Sequence, residues 1–202
     1  MNKRILLDQS QLNVITDRLC QQLLEHHNDF SNAAILGLQP RGIFLSDRIY
    51  RKLSGIFLPE LFPPHPSDAA KRKSGKSPGE IALSYGHLDA TFHRDDFRHQ
   101  EKPLIASKTK LDFMIENKNV ILIDDVLFTG RSVRAALDAM LAFGRPRSVE
   151  LLVLIDRRFR RDLPIEAHYV GCTVDTIVGQ KVKVEWKEEH GTDQVWLIED
   201  KK

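Results

Sequence analysis

The stretch Val120-Ile-Leu-Ile-Asp-Asp-Val-Leu-Phe-Thr-Gly-Arg-Ser132 decides the fold of this chain. It opens with a continuous apolar run over residues 120–123, which is typical of a parallel strand buried on both faces. Two adjacent carboxylates, Asp124 and Asp125, follow this run. The chain then turns into a segment over 132–143 with helical apolar spacing, which Gly144 is placed to end. The stretch therefore predicts a strand–loop–helix unit whose strand finishes in two acids.

The segments on either side repeat this alternation of strands and helices. Short apolar runs at 33–38, 149–155 and 169–171 predict further strands, and the alternating pattern over 86–93 predicts a half-buried strand. Helical spacing covers 11–27, with Asp8 or Ser10 as the cap, and 42–53. Alternating residues before and after a turn predict a terminal β-hairpin over 178–199. We therefore expect an α/β fold with a central, mostly parallel sheet flanked by helices.

Composition limits the classes of protein to which the chain can belong. The 202 residues carry a net charge of +2 and are 42% hydrophobic, which suits one globular domain over 1–202 and argues against bulk nucleic-acid binding. Cys20 and Cys172 have no partner at metal-binding spacing, so we expect reduced thiols. No apolar run is long enough for a membrane span, and we expect a cytoplasmic protein without a membrane partner.

The proline-rich and basic stretch 57–79 predicts a surface insertion.

The turn after the acids is suited to bind a phosphate. A helix N-terminus presents unpaired N–H groups and the positive end of the helix dipole. Gly130 lets the backbone approach the phosphate, and the hydroxyls of Thr129 and Ser132 add donors. Asp124 and Asp125 would repel a phosphate, so they are better matched to ribose hydroxyls or a magnesium ion beside it.

This whole segment resembles the motif of the type I phosphoribosyltransferases that binds 5-phosphoribosyl-1-pyrophosphate (PRPP). The resemblance implies their fold, with a small hood that includes the C-terminal hairpin, Mg²⁺ bound with PRPP, and a homodimer or larger homo-oligomer. It also implies that Asp124 and Asp125 hold the ribose and that residues 127–132 bind the 5′-phosphate. The PRPP site implied in this way comprises Gly37, Gln39, Pro40, Arg41, Gly42, Arg94, Asp124, Asp125, Leu127, Phe128, Thr129, Gly130, Arg131 and Ser132.

Two other segments match parts of the same family. The loop Gly37-Leu-Gln-Pro-Arg-Gly42 is placed like the pyrophosphate loop, where Arg41 supplies a forked cation with a catalytic role beside Asp124 and Asp125. The polar stretch 94–110 is placed like the mobile loop that closes over PRPP, with Arg94 reaching the pyrophosphate.

The segment 155–171, together with Gly144-Arg-Pro146, resembles the pyrimidine operon attenuator proteins that are also uracil phosphoribosyltransferases. Purine-type relatives often carry an aspartate just before Thr-Gly, where this chain has Phe128; a phenyl ring packs against a flat base but transfers no proton. We expect Phe128 and the backbone near Arg157 and Val170 to bind uracil. Asp175 is placed to bind magnesium with pyrophosphate. The attenuators usually have Gly-His where this chain has Arg158-Phe159.

The resulting hypothesis is transfer of ribose 5-phosphate from PRPP to uracil, which yields UMP and pyrophosphate, with a further role as a UMP-responsive RNA-binding regulator of pyrimidine genes. One alternative is a regulator that binds RNA without catalysis, through the arginines at 157–161 or the basic cluster at 71–76. The other alternative is a purine salvage enzyme for hypoxanthine or guanine.

Overall fold

The structure is a computed structural model that describes residues 2–28, 30–54, 83–94 and 108–199. The predicted insertion at 57–79 and most of the predicted mobile loop lie outside these residues. Among the described helices, none has an apolar stretch of the length that a membrane crossing requires. Cys20 and Cys172 are not joined in a disulfide.

Two sheets organise the described residues. In chain order, the elements are β1 (Asn2–Leu7), α1 (Gln9–His27), β2 (Ala33–Leu38), α2 (Gly42–Leu53), β3 (Ser84–Leu88), β4 (Asn119–Leu127), α3 (Arg131–Met140), β5 (Ser148–Arg158), β6 (Tyr169–Asp175), β7 (Gln180–Glu185), the short α4 (Lys187–His190) and β8 (Gln194–Glu199). One sheet is parallel, in the order β3-β2-β4-β5-β6, and the other is antiparallel, in the order β1-β8-β7. The predicted α/β fold with a parallel sheet is confirmed.

Strand β4 is central because apolar side chains cover both of its faces. Ile121 and Ile123 pack with α1 and α2 on one side, whereas Val120 and Leu122 pack with α3 on the other. Burial on both faces is typical of a parallel strand between helical layers. The carboxyl end of β4 therefore lies in the middle of the sheet, where open α/β sheets place their ligands.

The helix boundaries follow from local hydrogen bonds. Asp8 caps α1 in a capping box, in which its carboxylate accepts from the Gln11 N–H and the Gln11 side chain accepts from the Asp8 N–H. Helix α3 ends at Met140 and a 3₁₀ turn, Leu141–Phe143, leads to Gly144, whose φ of 123° is unfavourable for other residues. The helical spacing over 132–143 predicts that Leu141 faces the core, but this turn leaves its side chain exposed.

The strand predicted over 86–93 is shorter than expected. It spans Ser84–Leu88, and a 3₁₀ turn, Thr91–His93, follows it. The Asp89 carboxylate accepts from the Thr91 N–H at 2.8 Å and from its hydroxyl at 2.5 Å, which turns the chain away from the sheet. A strand over 86–93 would turn Leu88, Ala90 and Phe92 to its buried face, but the turn leaves Phe92 exposed.

The small antiparallel sheet includes the segment predicted as a hairpin and one strand that the sequence did not reveal. Strands β7 and β8 pair antiparallel, and β1 at the N-terminus adds to the other edge of β8. Val184 and Val195 of this sheet, and Trp186 directly after β7, are buried in the core shared with α1 and α2.

Arg48 of α2 fastens the small sheet to the parallel one. Its guanidinium donates to both oxygens of Asp193, at 2.7 and 2.8 Å, and lies 4.6 Å from the centre of the Trp186 ring. Glu188 accepts from the same guanidinium at 2.9 Å but is half exposed. Although burial opposes ionisation of Asp193, the hydrogen bonds from Arg48 and the Lys187 N–H keep its pKa below the usual value.

We expect Asp193→Ala to lower the free energy of unfolding by about 3 kcal/mol at neutral pH, because it leaves a largely buried guanidinium without its main partner. The difference should shrink as the pH falls below about 4, where the carboxyl of the unfolded wild-type chain takes up a proton and the pair loses its advantage. Urea denaturation at several pH values measures both effects.

Glu188→Ala is the matched control, since it removes a carboxylate from the same arginine at an exposed position and should cost less than about 1 kcal/mol. Equal losses in the two variants would contradict the assignment of Asp193 as the main partner.

Candidate active site

The acid pair lies buried at the carboxyl end of β4. Asp124 and Asp125 are 8% and 6% exposed, and the Asp125 N–H donates to Asp124 Oδ1 at 2.8 Å. The start of α2 approaches this end so closely that a Cβ on Gly42 would lie 2.4 Å from the Ile123 carbonyl oxygen and 2.9 Å from the Asp124 Cα. Glycine at position 42 is therefore a packing requirement, and it brings the loop before α2 against the two acids.

The surroundings of the two carboxyls disfavour their charged forms. Burial, and then the charge of Asp125, raises the pKa of Asp124 well above its usual value, with Arg94 acting in the opposite direction. Burial also raises the pKa of Asp125, which Arg41 opposes. Within the described part of the chain, Asp125 Oδ2 is buried without a hydrogen-bond partner. Such an oxygen fits a ligand hydroxyl or a hard cation such as Mg²⁺, which prefers carboxylate oxygens.

The predicted pyrophosphate loop lies beside the acids. The Gln39 N–H donates to the Leu88 carbonyl at 3.0 Å, which ties the loop to β3, and the Gln39–Pro40 peptide bond is cis. Arg41 lies at the start of α2, close enough to Asp125 to affect its ionisation. Gly37 has a packing role, because a Cβ there would lie 2.1 Å from Ser46 Oγ; this glycine lets α2 pack on β2.

The predicted phosphate loop joins β4 to α3 and is hydrogen-bonded to the segment after β5. Gly130 caps α3 with a φ of 89°, a left-handed conformation that suits glycine. The Thr129 carbonyl accepts from the N–H groups of Asp162 and Leu163 at 3.0 and 3.2 Å. Arg131 pairs with Asp162 at 3.0 Å, and the Phe128 carbonyl accepts from Arg161. The segment after β5 thus fixes the loop, and the start of α3 is left facing the acids.

These parts line one cavity of about 320 Å³ at the carboxyl end of the sheet. Its size is that of a small-molecule site. The residues that line it are Leu38, Gln39, Pro40, Arg41, Asp89, Ala90, Thr91, Arg94, Asp124, Asp125, Val126 and Ser132.

Residues 89–91 are members of this cavity that the sequence analysis missed. They follow β3, and the carboxyl ends of neighbouring parallel strands meet at one edge of a sheet, so the strand order would have indicated them. Asp89 Oδ2, like Asp125 Oδ2, is a buried oxygen without a partner among the described residues.

A second cavity, of about 200 Å³, lies on the other side of the phosphate loop. It is lined by Phe128, Arg157, Arg160, Ile177, Val178, Gly179, Gln180 and Lys181. The Arg157 guanidinium lies 3.8 Å from the centre of the Phe128 ring and is anchored by the Gln180 carbonyl at 3.0 Å and the Thr176 hydroxyl at 3.2 Å. Phe128 and Arg157 lie together, as the expected uracil site requires. Residues 177–181 were not predicted to line this cavity, because their position depends on how β7 follows β6 in space.

Val170 and Asp175, predicted to bind the base and magnesium, have partners outside both cavities. The Val170 carbonyl accepts from Arg18 of α1 at 3.1 Å, and its side chain packs in the core beside α3. The exposed Asp175 carboxylate accepts two hydrogen bonds from Arg158, at 2.7 and 2.8 Å. Because β6 is the edge strand, these residues face partners away from the end of β4.

Comparison with known sequences and structures agrees with this arrangement. The model of the phosphoribosyl transferase domain family matches residues 4–189. A protein of Endomicrobium trichonymphae named bifunctional protein PyrR is 37% identical over 198 residues, which cover 96% of this chain and 98% of that protein. The protein of the same name from Deinococcus radiodurans is 36% identical, with coverage of 98% and 95%.

Solved structures share the fold at low sequence identity. A hypoxanthine phosphoribosyltransferase of Staphylococcus aureus gives a TM-score of 0.63 at 19% identity, covering 98% of this chain and 92% of that one. A hypoxanthine-guanine phosphoribosyltransferase of Bacillus anthracis gives 0.62 at 15% identity, covering 99% and 100%. The paired acids at the end of β4, the loop before α3 and the match over 4–189 lead to one conclusion: this chain belongs to the phosphoribosyl transferase domain family.

Proposed function

We propose that the protein transfers the ribose 5-phosphate of PRPP to uracil and releases UMP and pyrophosphate, with Mg²⁺ as cofactor, in the cytoplasm. The observation that carries this proposal is the buried pair Asp124 and Asp125 in one cavity with Arg41 and the start of α3. That arrangement offers acceptors for a sugar and donors for its phosphates within a single site.

The ribose is assigned to the acid pair. Its hydroxyls donate to carboxylate oxygens, and Asp125 Oδ2 has the unused acceptor capacity that such a donor needs. The 5′-phosphate is assigned to residues 127–132, where the α3 N-terminus, Gly130 and the hydroxyls of Thr129 and Ser132 supply donors.

The departing pyrophosphate is assigned to Arg41, Arg94 and the loop at 39–42. Both arginines already affect the ionisation of the acid pair, so they lie near the place where the negative charge of the leaving pyrophosphate develops. Magnesium, when bound with PRPP, supplies further positive charge for the leaving group, and the oxygens of Asp89 and Asp125 are the acceptors available to hold it.

In the reaction, the bond from C1 of the ribose to the pyrophosphate oxygen breaks and a bond from C1 to the uracil ring nitrogen forms. The electron pair leaves with pyrophosphate, and the proton of the ring nitrogen passes to the departing pyrophosphate or to water. The sugar passes through a state with oxocarbenium character, whose positive charge the carboxylates of Asp124 and Asp125 stabilise. Their raised pKa values mean that the empty site is destabilised by its negative charge, so a developing cation relieves that strain.

The base is assigned to the space beside Phe128. An aromatic ring packs well against a flat heterocycle, and residues 177–181 with Arg160 line the second cavity beside it. An aromatic residue in place of an acid leaves no side chain there for proton transfer to a purine ring, which favours uracil over hypoxanthine or guanine.

A second role in RNA-binding regulation is supported by the relatives, which carry the name bifunctional protein. Of the arginines predicted to meet RNA, Arg157, Arg158 and Arg161 bond to Thr176, Asp175 and Asp156. Arg160 is exposed, and the basic cluster at 71–76 lies outside the described residues. As for type I relatives, we propose a homodimer or larger homo-oligomer.

Incubation of the full chain with PRPP, magnesium and each base separates the hypotheses. We expect pyrophosphate release with uracil, and at least about tenfold lower kcat/KM with hypoxanthine or guanine, since Phe128 replaces the group that assists a purine. Faster turnover of a purine would instead establish the salvage enzyme, and no turnover of any base would leave the non-catalytic regulator.

Asp125→Asn should lower kcat/KM for uracil on the order of 10²-fold, because an amide carries no charge to stabilise the cationic transition state. Steady-state kinetics with unchanged circular dichroism measures this loss. Asp138→Asn, which changes a half-exposed acid on the outer face of α3, is the control and should retain full activity. Undiminished turnover in the Asp125 variant would remove the acid pair from the mechanism.

Asp124→Asn should make the protein more stable although it impairs activity. The pKa of Asp124 is raised in the folded protein, so this carboxyl costs no stability below about pH 4, the pKa of an unfolded aspartate. The free energy of unfolding then falls as the pH rises through the pKa of the folded protein. Asparagine removes the buried charge and still accepts from the Asp125 N–H. We expect a gain of about 1 kcal/mol at about pH 8 that vanishes near pH 4, measured by denaturation. A loss of stability at about pH 8 would contradict the strain inferred for the acid pair.

A further inference from the structure

Four polar side chains meet at the edge of the parallel sheet opposite the active site. His26 and His27 are the last residues of α1, Glu150 lies near the start of β5, and Tyr169 begins β6. Because all strands of this sheet run in the same direction, the starts of β5 and β6 lie at the end away from Asp124. The cluster therefore has no part in the proposed transfer.

The distances within the cluster are those of a compact binding site. One nitrogen of each histidine and one oxygen of Glu150 all lie within 4.8 Å of one another, the single group of this kind found among the described residues. His27 Nε2 is 2.9 Å from Glu150 Oε2. The Tyr169 hydroxyl is 2.8 Å from the same carboxylate oxygen and 2.7 Å from His26 Nδ1.

We propose that His26, His27 and Glu150 form a binding site for a divalent transition-metal ion of the zinc class. Two imidazoles and one carboxylate are a set that Zn²⁺ uses at 2.0–2.2 Å, with water completing a tetrahedron. Ligand atoms at such distances from an ion are about 3.4 Å apart. The ligand atoms of the cluster lie within 4.8 Å of one another, so they can reach these positions by shifts smaller than a change of rotamer. Mg²⁺ prefers oxygen ligands and is not expected to compete.

The surroundings favour a cation at this place. The C-terminus of the 19-residue helix α1 presents the negative end of its dipole and carbonyl groups. The side chains of His27 and Glu150 are only 6% and 13% exposed, so their interactions are weakly screened by water. His26 is exposed and gives the ion a route of entry.

Tyr169 orients the carboxylate from behind. Its hydroxyl donates to Glu150 Oε2 at 2.8 Å and so fixes the position of this oxygen. A ligand fixed by an outer hydrogen bond is the common arrangement in zinc sites. Glu150 Oε2 has two lone-pair sites, so it can bind the ion with one and keep the hydrogen bond from Tyr169 on the other.

An ion at this site would join the end of α1 to the start of β5, two elements far apart in the chain. Binding to the folded state alone raises the free energy of unfolding in proportion to the logarithm of ligand concentration over Kd. The site is therefore expected to act on stability.

To test the proposal, the full chain is freed of metal with a chelator and titrated with zinc chloride in the presence of excess magnesium. Calorimetry measures the heat of binding, and thermal denaturation measures the melting temperature Tm. We expect one equivalent to bind and Tm to rise. Glu150→Gln and His27→Gln should each weaken this binding at least about tenfold, the loss usual for even an outer-sphere partner. Cobalt in place of zinc should give the visible absorption bands of a tetrahedral nitrogen and oxygen site, and these bands should disappear in the same variants.

His168→Gln is the matched control, since this exposed histidine adjoins Tyr169 in the chain but is outside the cluster, and it should bind zinc like the wild type. If either buried variant fails to fold, His26→Gln at the exposed position provides the same loss. The proposal is overturned if the wild type binds no zinc in this assay. It is also overturned if the His26, His27 and Glu150 variants bind zinc with unchanged affinity.

Discussion

Two carboxylates held side by side at the end of a buried strand are the constraint around which this protein is arranged. Like charges in a desolvated place oppose ionisation, so Asp124 and Asp125 need positive groups or a polar ligand close to them. Arg41 and Arg94 meet part of that need from α2 and from the turn after β3. The remaining acceptor capacity faces the cavity, and it supports the proposed binding of a sugar and stabilisation of a developing cation.

The backbone makes this arrangement possible through close contacts. Gly42 lets α2 begin against β4, and Gly37 lets the same helix pack on β2. Gly130, in a left-handed conformation, starts α3 next to the acids. The segment after β5 then supports the phosphate loop through the Thr129 carbonyl, so the loop is preorganised before any ligand arrives.

The two ends of the parallel sheet carry different chemistry. Its carboxyl end gathers acids, arginines and a helix N-terminus, which suits anionic phosphates and a sugar. Its amino end gathers two histidines and a glutamate beneath a helix C-terminus, which suits a cation. Both follow from helices that run antiparallel to the strands, because the N-terminus of α3 lies at one edge and the C-terminus of α1 at the other, so the two edges favour charges of opposite sign.

The sequence by itself determined the class of fold and the centre of the site. A run buried on both faces, two acids and a glycine turn form a local pattern that survives folding, so β4 and the start of α3 lie where they were predicted, although β4 continues to Leu127 and α3 already ends at Met140. Tertiary structure alone decided what depends on distant pairing. It placed β1 beside β8, brought Asp89 into the cavity through the order β3-β2-β4, and directed Val170 and Asp175 to Arg18 and Arg158. No spacing in a linear chain encodes which strand lies at an edge, because that choice is made by the packing of helices and sheets against one another.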